Sequence, residues 1–379
     1  MYPNGYSLLR NENRLARFGG EGSLMTSKSV AFALLAAVAV GRPALGAPVT
    51  SQFAVTGDVG DPGTTFDLTA LQALPPVTQA DSFTSAGNPT TDTYTGASIW
   101  NVLNAAGGIA VNSAIKNDVL SHYVVATGSD GYTVVYAAGE IDPNFGNRPY
   151  LAAYSDTGGQ VGNGGGQGFA RVTAPGDVAG GRYVSNLQSL SVGQGPIVAG
   201  AGGGVSTQLS LSGLVSHAGY YDLAGLQALS PTTLTATYRQ GASTTVTDTY
   251  TGVSLWSLIL SAGLVTNASI KNDVLRYYAL ITGTDGYSVA VSLGEIDPMF
   301  GNQDDLIAYS DTDGQFDAGS GDDGFARLVV PGDLAGGRYV SNIESIQIID
   351  ATNAPEPGTL SVLAVAGVAL GRLRRRRAG

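Results

Sequence analysis

The sequence contains no cysteine. Disulfide staples are therefore excluded, and so are thiolates acting as nucleophiles or soft metal ligands. Histidine is almost as scarce: His122 and His217 are the only two in 379 residues. A clustered imidazole metal site cannot be assembled from them, and no GxSxG pattern exists to place a serine nucleophile on an elbow. Charged residues make up only 13% of the chain, and their balance is acidic, with a net charge of −11. About half of the basic residues sit at the two ends, so the stretch Ala47 to Asn353 is more acidic still. Such a surface repels nucleic acid and anionic membranes. Long hydrophobic runs are missing too. Val30 to Val40 and Leu360 to Leu370 are the best candidates, and both fall short of the roughly 20 residues a permanent bilayer span needs.

What the sequence does have is repetition. DGYTVVYAAGEIDPNFGN, from Asp130 to Asn147, returns as DGYSVAVSLGEIDPMFGN from Asp285 to Asn302. DTYTGASIWNVLNAAG at Asp92 returns as DTYTGVSLWSLILSAG at Asp248, and IKNDVL occurs at Ile115 and at Ile270. GFARVTAPGDVAGGRYVSNLQSL at Gly168 returns as GFARLVVPGDLAGGRYVSNIESI at Gly324. The spacing between partners is nearly constant, which identifies a duplicated domain and not a short solenoid repeat. The stretch GQGPIVAGAGGG, from Gly193, has the composition of a flexible linker. The two histidines break the symmetry: Tyr277 stands where His122 would recur, and His217 falls in a loop.

Within each copy the patterns mix helix and strand. Phe66, Leu71 and Leu74 lie at helical spacing, with Asp67 or Thr65 as cap and Pro75 and Pro76 as stop. Ile99, Val102, Leu103 and Ala106 predict a second helix ended by Gly107. Tyr123 to Thr127, Tyr132 to Tyr136, Leu151 to Tyr154, Phe169 to Thr173 and Tyr183 to Val192 read as strands. Asp130-Gly131 is a hairpin turn signal, and Gly139 to Pro143 a short helical turn closed before a proline. The expected class is α+β, richer in strand than in helix.

The ends carry addresses. From Met25 the chain shows Lys28, the apolar run Val30 to Val40 and small residues at Ala44 and Gly46, the arrangement of a secretory signal, with Met25 as an alternative start. At the other end Pro355, Glu356 and Pro357 precede an apolar segment and then Arg372 and Arg374, Arg375, Arg376 and Arg377. This end resembles the PEP-CTERM sorting signal of bacterial exported proteins. The arginines are costly to translocate and hold their side of the membrane. The resemblance implies signal peptidase and an exosortase-type enzyme as partners and transient membrane association. It also implies export to the cell envelope, cell surface or extracellular matrix of a Gram-negative bacterium, with exopolysaccharide as a further partner.

Three groups of residues are candidates for chemistry. Arg171 and Arg182 recur as Arg327 and Arg338 around the loop P-G-D-x-A-G-G. Two arginines and a glycine-rich loop can receive an anion, or each arginine can pair with Asp177 or Asp142 (Asp333 or Asp297) and pin the loop. Asp311, Asp313 and Asp317 crowd the loop SDTDGQFDAGSGDDG, which offers enough oxygen donors for calcium but lacks the EF-hand glycine, with Phe316 in its place. The alternative there is a solvated acidic loop. The first copy keeps only Asp156 of this set.

The order LTALQALP, then the Tyr-x-Gly helix with its tryptophan and Ala-Gly end, then DGY-x-V with Glu-Ile-Asp, then A-R-L-V-V-P-G and a closing V-S-N-I strand resembles the sulfite-oxidase-like, molybdopterin-binding oxidoreductase domain. The resemblance covers Phe53 to Val192 and Leu209 to Ile349. It implies two tandem copies of a strand-rich sulfite-oxidase-like domain, with an N-terminal signal helix and a C-terminal hydrophobic sorting helix. The boundaries are 1–46 for the signal region, 47–193 and 207–350 for the copies, 194–206 for the linker and 354–379 for the sorting segment. It also implies that the arginine loops face a cofactor pocket. Active members hold molybdenum through a cysteine shortly before the tyrosine-glycine helix. Here that region is Asp81 to Gly96, and Ser85 is the residue near the expected place. A neutral hydroxyl is a poor replacement for a thiolate, so no cofactor is expected. The leading expectation is an exported, non-catalytic binding or structural protein. Its alternatives are a molybdopterin-dependent oxidoreductase with atypical ligation and a calcium-stabilised surface adhesin.

Overall fold

The computed structural model describes residues 48–161, 168–241, 243–316 and 324–353. The signal and sorting segments, including Pro355, Glu356, Pro357 and Arg374 to Arg377, lie outside the described residues, as does Asp317. The protein is strand-rich, with few helices and several sheets.

One sheet runs in the order Thr64–Asp67, Gln52–Gly57, Leu187–Gln194, His122–Gly128, Thr133–Ala137. Its first and late strands lie parallel, with Ala54 opposite Ser189 and Gly57 opposite Val192. A second sheet joins the long hairpin Pro76–Ser85 and Asn88–Ser98 to Leu151–Asp156, which also pairs with Gly159–Gln160 and Arg171–Thr173. The same pair of sheets recurs after Gln208, with Gln208–Gly213 parallel to Ile343–Asp350.

The helices are short and capped as their sequence directs. Leu68–Gln72 starts at Asp67, whose carboxylate accepts from Ala70 N at 2.8 Å. Ile99–Ala105 starts at Ser98, whose hydroxyl accepts from Asn101 N at 3.1 Å. Satisfying one orphan N–H in this way is worth about 1 kcal/mol. Phe66, expected on the first helix, instead belongs to strand Thr64–Asp67 and stacks on Phe53, its ring 5.4 Å away. The long hairpin lies outside the strands expected from the sequence, because its outward face is largely polar. Thr78 meets Thr95, and Ser82 meets Thr91, hydroxyl to hydroxyl at 2.8 and 2.9 Å. Such a strand gives little hydrophobic alternation to read.

The strands His122–Gly128 and Tyr277–Gly283 explain how the two halves meet. In the first, Val124 and Ala126 face the core of their own half, while Tyr123 turns to the other. In the second, Tyr277, Ala279 and Ile281 face inward, and Tyr278 and Leu280 turn across. Tyr123 and Tyr278 stack with ring centroids 4.6 Å apart. Burial on both faces is why these strands read as near-continuous apolar runs.

The exchange goes further. Leu120 of the first half is buried in the core of the second, and Leu275 of the second in the core of the first. Asn117 Nδ2 donates to the Tyr287 hydroxyl at 3.0 Å, and Asn272 Nδ2 to the Tyr132 hydroxyl at 2.8 Å. Val178 N donates to Phe300 O, and Leu334 N to Phe145 O. The glycine-rich joint between the copies lies against both: Gly195 N donates to Ser121 O, Gly203 N to Thr284 O and Ala201 N to a Glu344 carboxylate oxygen.

Two glycines of the repeated G-G-R stretch exist for this approach. A Cβ on Gly181 would stand 2.2 Å from Phe300 Cε1, and one on Gly337 at the same distance from Phe145 Cε1. Gly181→Ala and Gly337→Ala are each expected to cost about 1–3 kcal/mol through overpacking. The urea midpoint checks this, and an unchanged midpoint in both would show that the rings move aside freely.

Candidate functional site

The repeated turns converge at the junction. In the first half, the turn Ala138–Ile141 carries Glu140, and the short turn Gly180–Arg182 carries Arg182. Arg182 Nε and Nη2 grip the two oxygens of Asp177 at 2.8 and 2.6 Å, and Nη1 reaches Glu140 Oε1 at 2.5 Å. The Tyr150 hydroxyl donates to Glu140 Oε1 at 2.5 Å and accepts from Arg182 Nη2 at 2.7 Å. The Tyr136 hydroxyl donates to the carbonyl of Arg182.

In the second half Arg338 repeats the fork on Asp333 at 2.8 and 2.6 Å, and its Nη1 meets both oxygens of Glu295 at 2.8 and 3.0 Å. All six of these charged side chains are buried. Each arginine stem crosses the glycine of the other half's turn: a Cβ on Gly139 would lie 2.7 Å from Arg338 Cδ, and one on Gly294 2.7 Å from Arg182 Cδ. The Glu in Gly-Glu-Ile-Asp thus binds the arginine of its own copy, and the Gly admits the arginine of the other.

The copies differ at three positions here. Ser292 replaces Ala137, and its hydroxyl donates across the junction to Glu140 Oε2 at 3.1 Å. Gln303 replaces Arg148, and Arg148 Nη2 donates to its side-chain oxygen. Asp305 replaces Tyr150. Its carboxylate is 1% exposed, and neither oxygen has a hydrogen-bond partner.

The electrostatics follow from those partners. Burial alone would raise Glu140, but the Arg182 guanidinium and the Tyr150 hydroxyl hold its carboxyl below the usual range. Burial pushes Glu295 up to about 7 in spite of Arg338. Burial, reinforced by the Glu295 carboxylate, drives Asp305 well above the carboxylate range. Asp177 is likewise raised by burial.

The residues singled out in the sequence are not all brought together. Arg182 and Arg338 meet at the junction. Arg171 lies half-buried over the rings of Tyr94 and Tyr183, 5.5 Å from each centroid. Arg327 takes the equivalent place over Tyr250 and Tyr339. Ser85 is exposed at the tip of the hairpin, next to Ala86, whose φ is 47°. Asp311 accepts from the backbone of Asp313 at 2.9 Å in a turn. Asp142 accepts from the backbone of Asn144 at 2.8 Å and makes no arginine pair. His122 is buried, its Nδ1 3.0 Å from Asp118 O, while His217 is exposed beside Ser216. Among the described residues, no group of three or more His, Asp or Glu side chains is placed to hold a metal ion.

Sequence reading missed Glu140, Glu295, Tyr150 and Asp305 as members of one cluster. The signal that could have found them is the unequal pair Tyr150 and Asp305, a charged-for-aromatic exchange immediately before the repeated apolar strands Leu151–Asp156 and Leu306–Asp311.

The class defined by these observations is a strand-rich α+β protein with duplicated sheet topology. No family model matches the chain, and no curated protein matches it. Among solved structures it is similar to the sulfane dehydrogenase SoxCD from Paracoccus pantotrophus, at 18% identity and a TM-score of 0.30. The match covers 48% of this chain and 47% of that one, so it spans about half the length of the solved protein.

Proposed function

We propose that the protein is an exported, non-catalytic binding or structural module, built from two sulfite-oxidase-like copies and serving the cell surface or an exopolysaccharide matrix. The observation that carries the reading is the fate of the repeated arginines. Arg182 and Arg338 are 1% and 0% exposed and are each committed to two carboxylates. Guanidiniums locked in this way pin the turns of their own copy and are not free to receive an anionic cofactor.

A molybdopterin centre does not fit the residues present. There is no thiolate in the chain. Ser85 stands exposed on a hairpin tip, away from the closed, dry setting a redox metal needs, and its hydroxyl is a weak donor to a soft metal. The signal and sorting segments give the proposed route: signal peptidase at one end, an exosortase-type enzyme at the other, and only transient membrane contact.

The test is elemental analysis of protein produced in a host that makes the molybdenum cofactor. The expected result is molybdenum far below one atom per chain. Stoichiometric molybdenum, lost on Ser85→Ala, would overturn the reading.

A further inference from the structure

The two long hairpins hold the same place in the two copies, and each ends its sheet on an edge strand: Pro76–Ser85 in the first, Thr232–Gln240 in the second. The second edge carries the threonine face furthest. Thr233, Thr235 and Thr237 meet Thr251, Thr249 and Thr247 of the neighbouring strand, hydroxyl to hydroxyl at 2.9 Å each. Directly opposed side chains this close mark the non-hydrogen-bonded pairs of an antiparallel ladder, so the N–H and C=O groups of these three threonines point away from the hairpin. Arg239, two residues on, keeps the alternation, since its N–H turns outward to Leu334 O at 3.0 Å. Beyond that end contact, no strand among the described residues covers the edge.

Exposed edges are normally guarded by a proline, a lysine, a bulge or a charge turned inward. The first copy has such a guard. Asp81 stands in the middle of its edge strand, 5% exposed, and accepts from the Tyr183 hydroxyl. Ala236 takes that position in the second copy, because it faces Asp248 as Asp81 faces the corresponding Asp92. Tyr339, the counterpart of Tyr183, is left with a buried hydroxyl that has no partner among the described residues. From Thr232 to Tyr238 the second edge has no charge, no proline and no bulge.

We propose that Thr232–Tyr238 is a self-pairing edge, joined antiparallel to the same strand of a second copy of this chain about a two-fold axis at Thr235. The strand's own pattern selects this occupant. Such an axis sets Thr235 opposite Thr235, and Thr233 opposite Thr237 of the second copy, so the outward backbone groups meet each other and each pair exchanges two hydrogen bonds. Half-buried Leu234 then falls opposite buried Ala236, and the row of hydroxyls continues across the joint. Arg239, the one charge of Thr232–Gln240, lies at opposite ends of the paired strands and meets no like charge. In the first copy the same arrangement about Ala80 would shut two Asp81 carboxylates further from water, at a cost that opposes the backbone bonds. The joint is small against the roughly 1,200–2,000 Å² of a stable interface. Association is therefore weak and depends on concentration.

The chain has no cysteine of its own, which makes the test direct, with the full chain as the sample. Thr235→Cys is compared with Ala80→Cys, its exposed equivalent on the first edge, and a short bismaleimide links cysteines of neighbouring chains. Both variants carry the same ends, so association through the ends cancels. Thr235→Cys is expected to crosslink at least about tenfold faster, because pairing raises the effective concentration of one thiol around the other. Adding Ala236→Asp should remove that advantage. So should Thr233→Pro, since the N–H it deletes faces outward and the hairpin ladder is left intact; urea denaturation verifies that each variant is folded. Equal rates for the two cysteines would overturn the proposal. An advantage that survives either change in a folded chain would also do so, as would fastest linkage between Thr235→Cys and Ala80→Cys in a mixture, which would make the contact head-to-tail.

Discussion

Arg338→Ala is expected to destabilise the protein by about 3–5 kcal/mol, the range for removing one partner from a buried ion pair. The side chain is 0% exposed and spends its donors on Asp333 and Glu295. Without it, two buried carboxylates lose their counter-charge while Asp305 sits nearby with no donor of its own. Desolvation then dominates, and each carboxylate must take up a proton or open to water. Arg171→Ala is the informative comparison. That side chain is half-buried over two aromatic rings, a contact worth about 0.5–2 kcal/mol. Urea denaturation of both variants checks the ranking. Equal losses would mean that the junction cluster does not carry the stability assigned to it. A quadruple variant, Arg338→Met with Glu295→Gln, Asp333→Asn and Asp305→Asn, should recover much of the loss, because none of the four then leaves a charge buried alone.

The second large effect is on pH dependence. Glu295 lies at about 7 in the folded chain, against about 4.3 unfolded, and Asp305 is raised further in the same direction by burial and by Glu295. Between the unfolded and folded values the native state holds protons that the unfolded chain has released. Stability therefore falls as pH rises through that window and levels off above it. For Glu295 alone the displacement corresponds to on the order of 3 kcal/mol. Glu140 works in the opposite sense, since its folded value is lowered by Arg182 and Tyr150, so its contribution is lost in strong acid. The stability maximum is expected in mildly acidic solution. Asp305→Asn keeps the shape and removes the charge, so it should stabilise the protein at pH 8 and flatten the decline between pH 5 and 8. Parallel wild-type and variant curves across that range would refute the assignment.

Much of the fold was legible because its signals are local. Alternating and β-branched runs located His122–Gly128, Thr133–Ala137 and Leu151–Asp156, and the Ile99, Val102, Leu103 spacing located the helix Ile99–Ala105. The polar hairpin was not legible, since its threonine face offers solvent as much as its ends do. The junction was legible only as repetition. Gly139 read as turn punctuation, yet what it admits is an arginine stem from nearly 200 residues away in the chain. Asp177 is one of the two partners the sequence offers Arg182, whereas its second partner, Glu140, comes from a turn that no sequence spacing connects to it. Non-local pairing of this kind leaves a residue type behind and no periodicity.

The parallel pairing of Gln52–Gly57 with Leu187–Gln194, and of its counterpart with Ile343–Asp350, has a consequence for biogenesis. The opening strand of each half has no parallel neighbour until that half has been made almost to its end. Contacts so distant in sequence slow collapse into the native state. A growing chain with this wiring stays open for longer, since neither half can close its first sheet before its last strand is present.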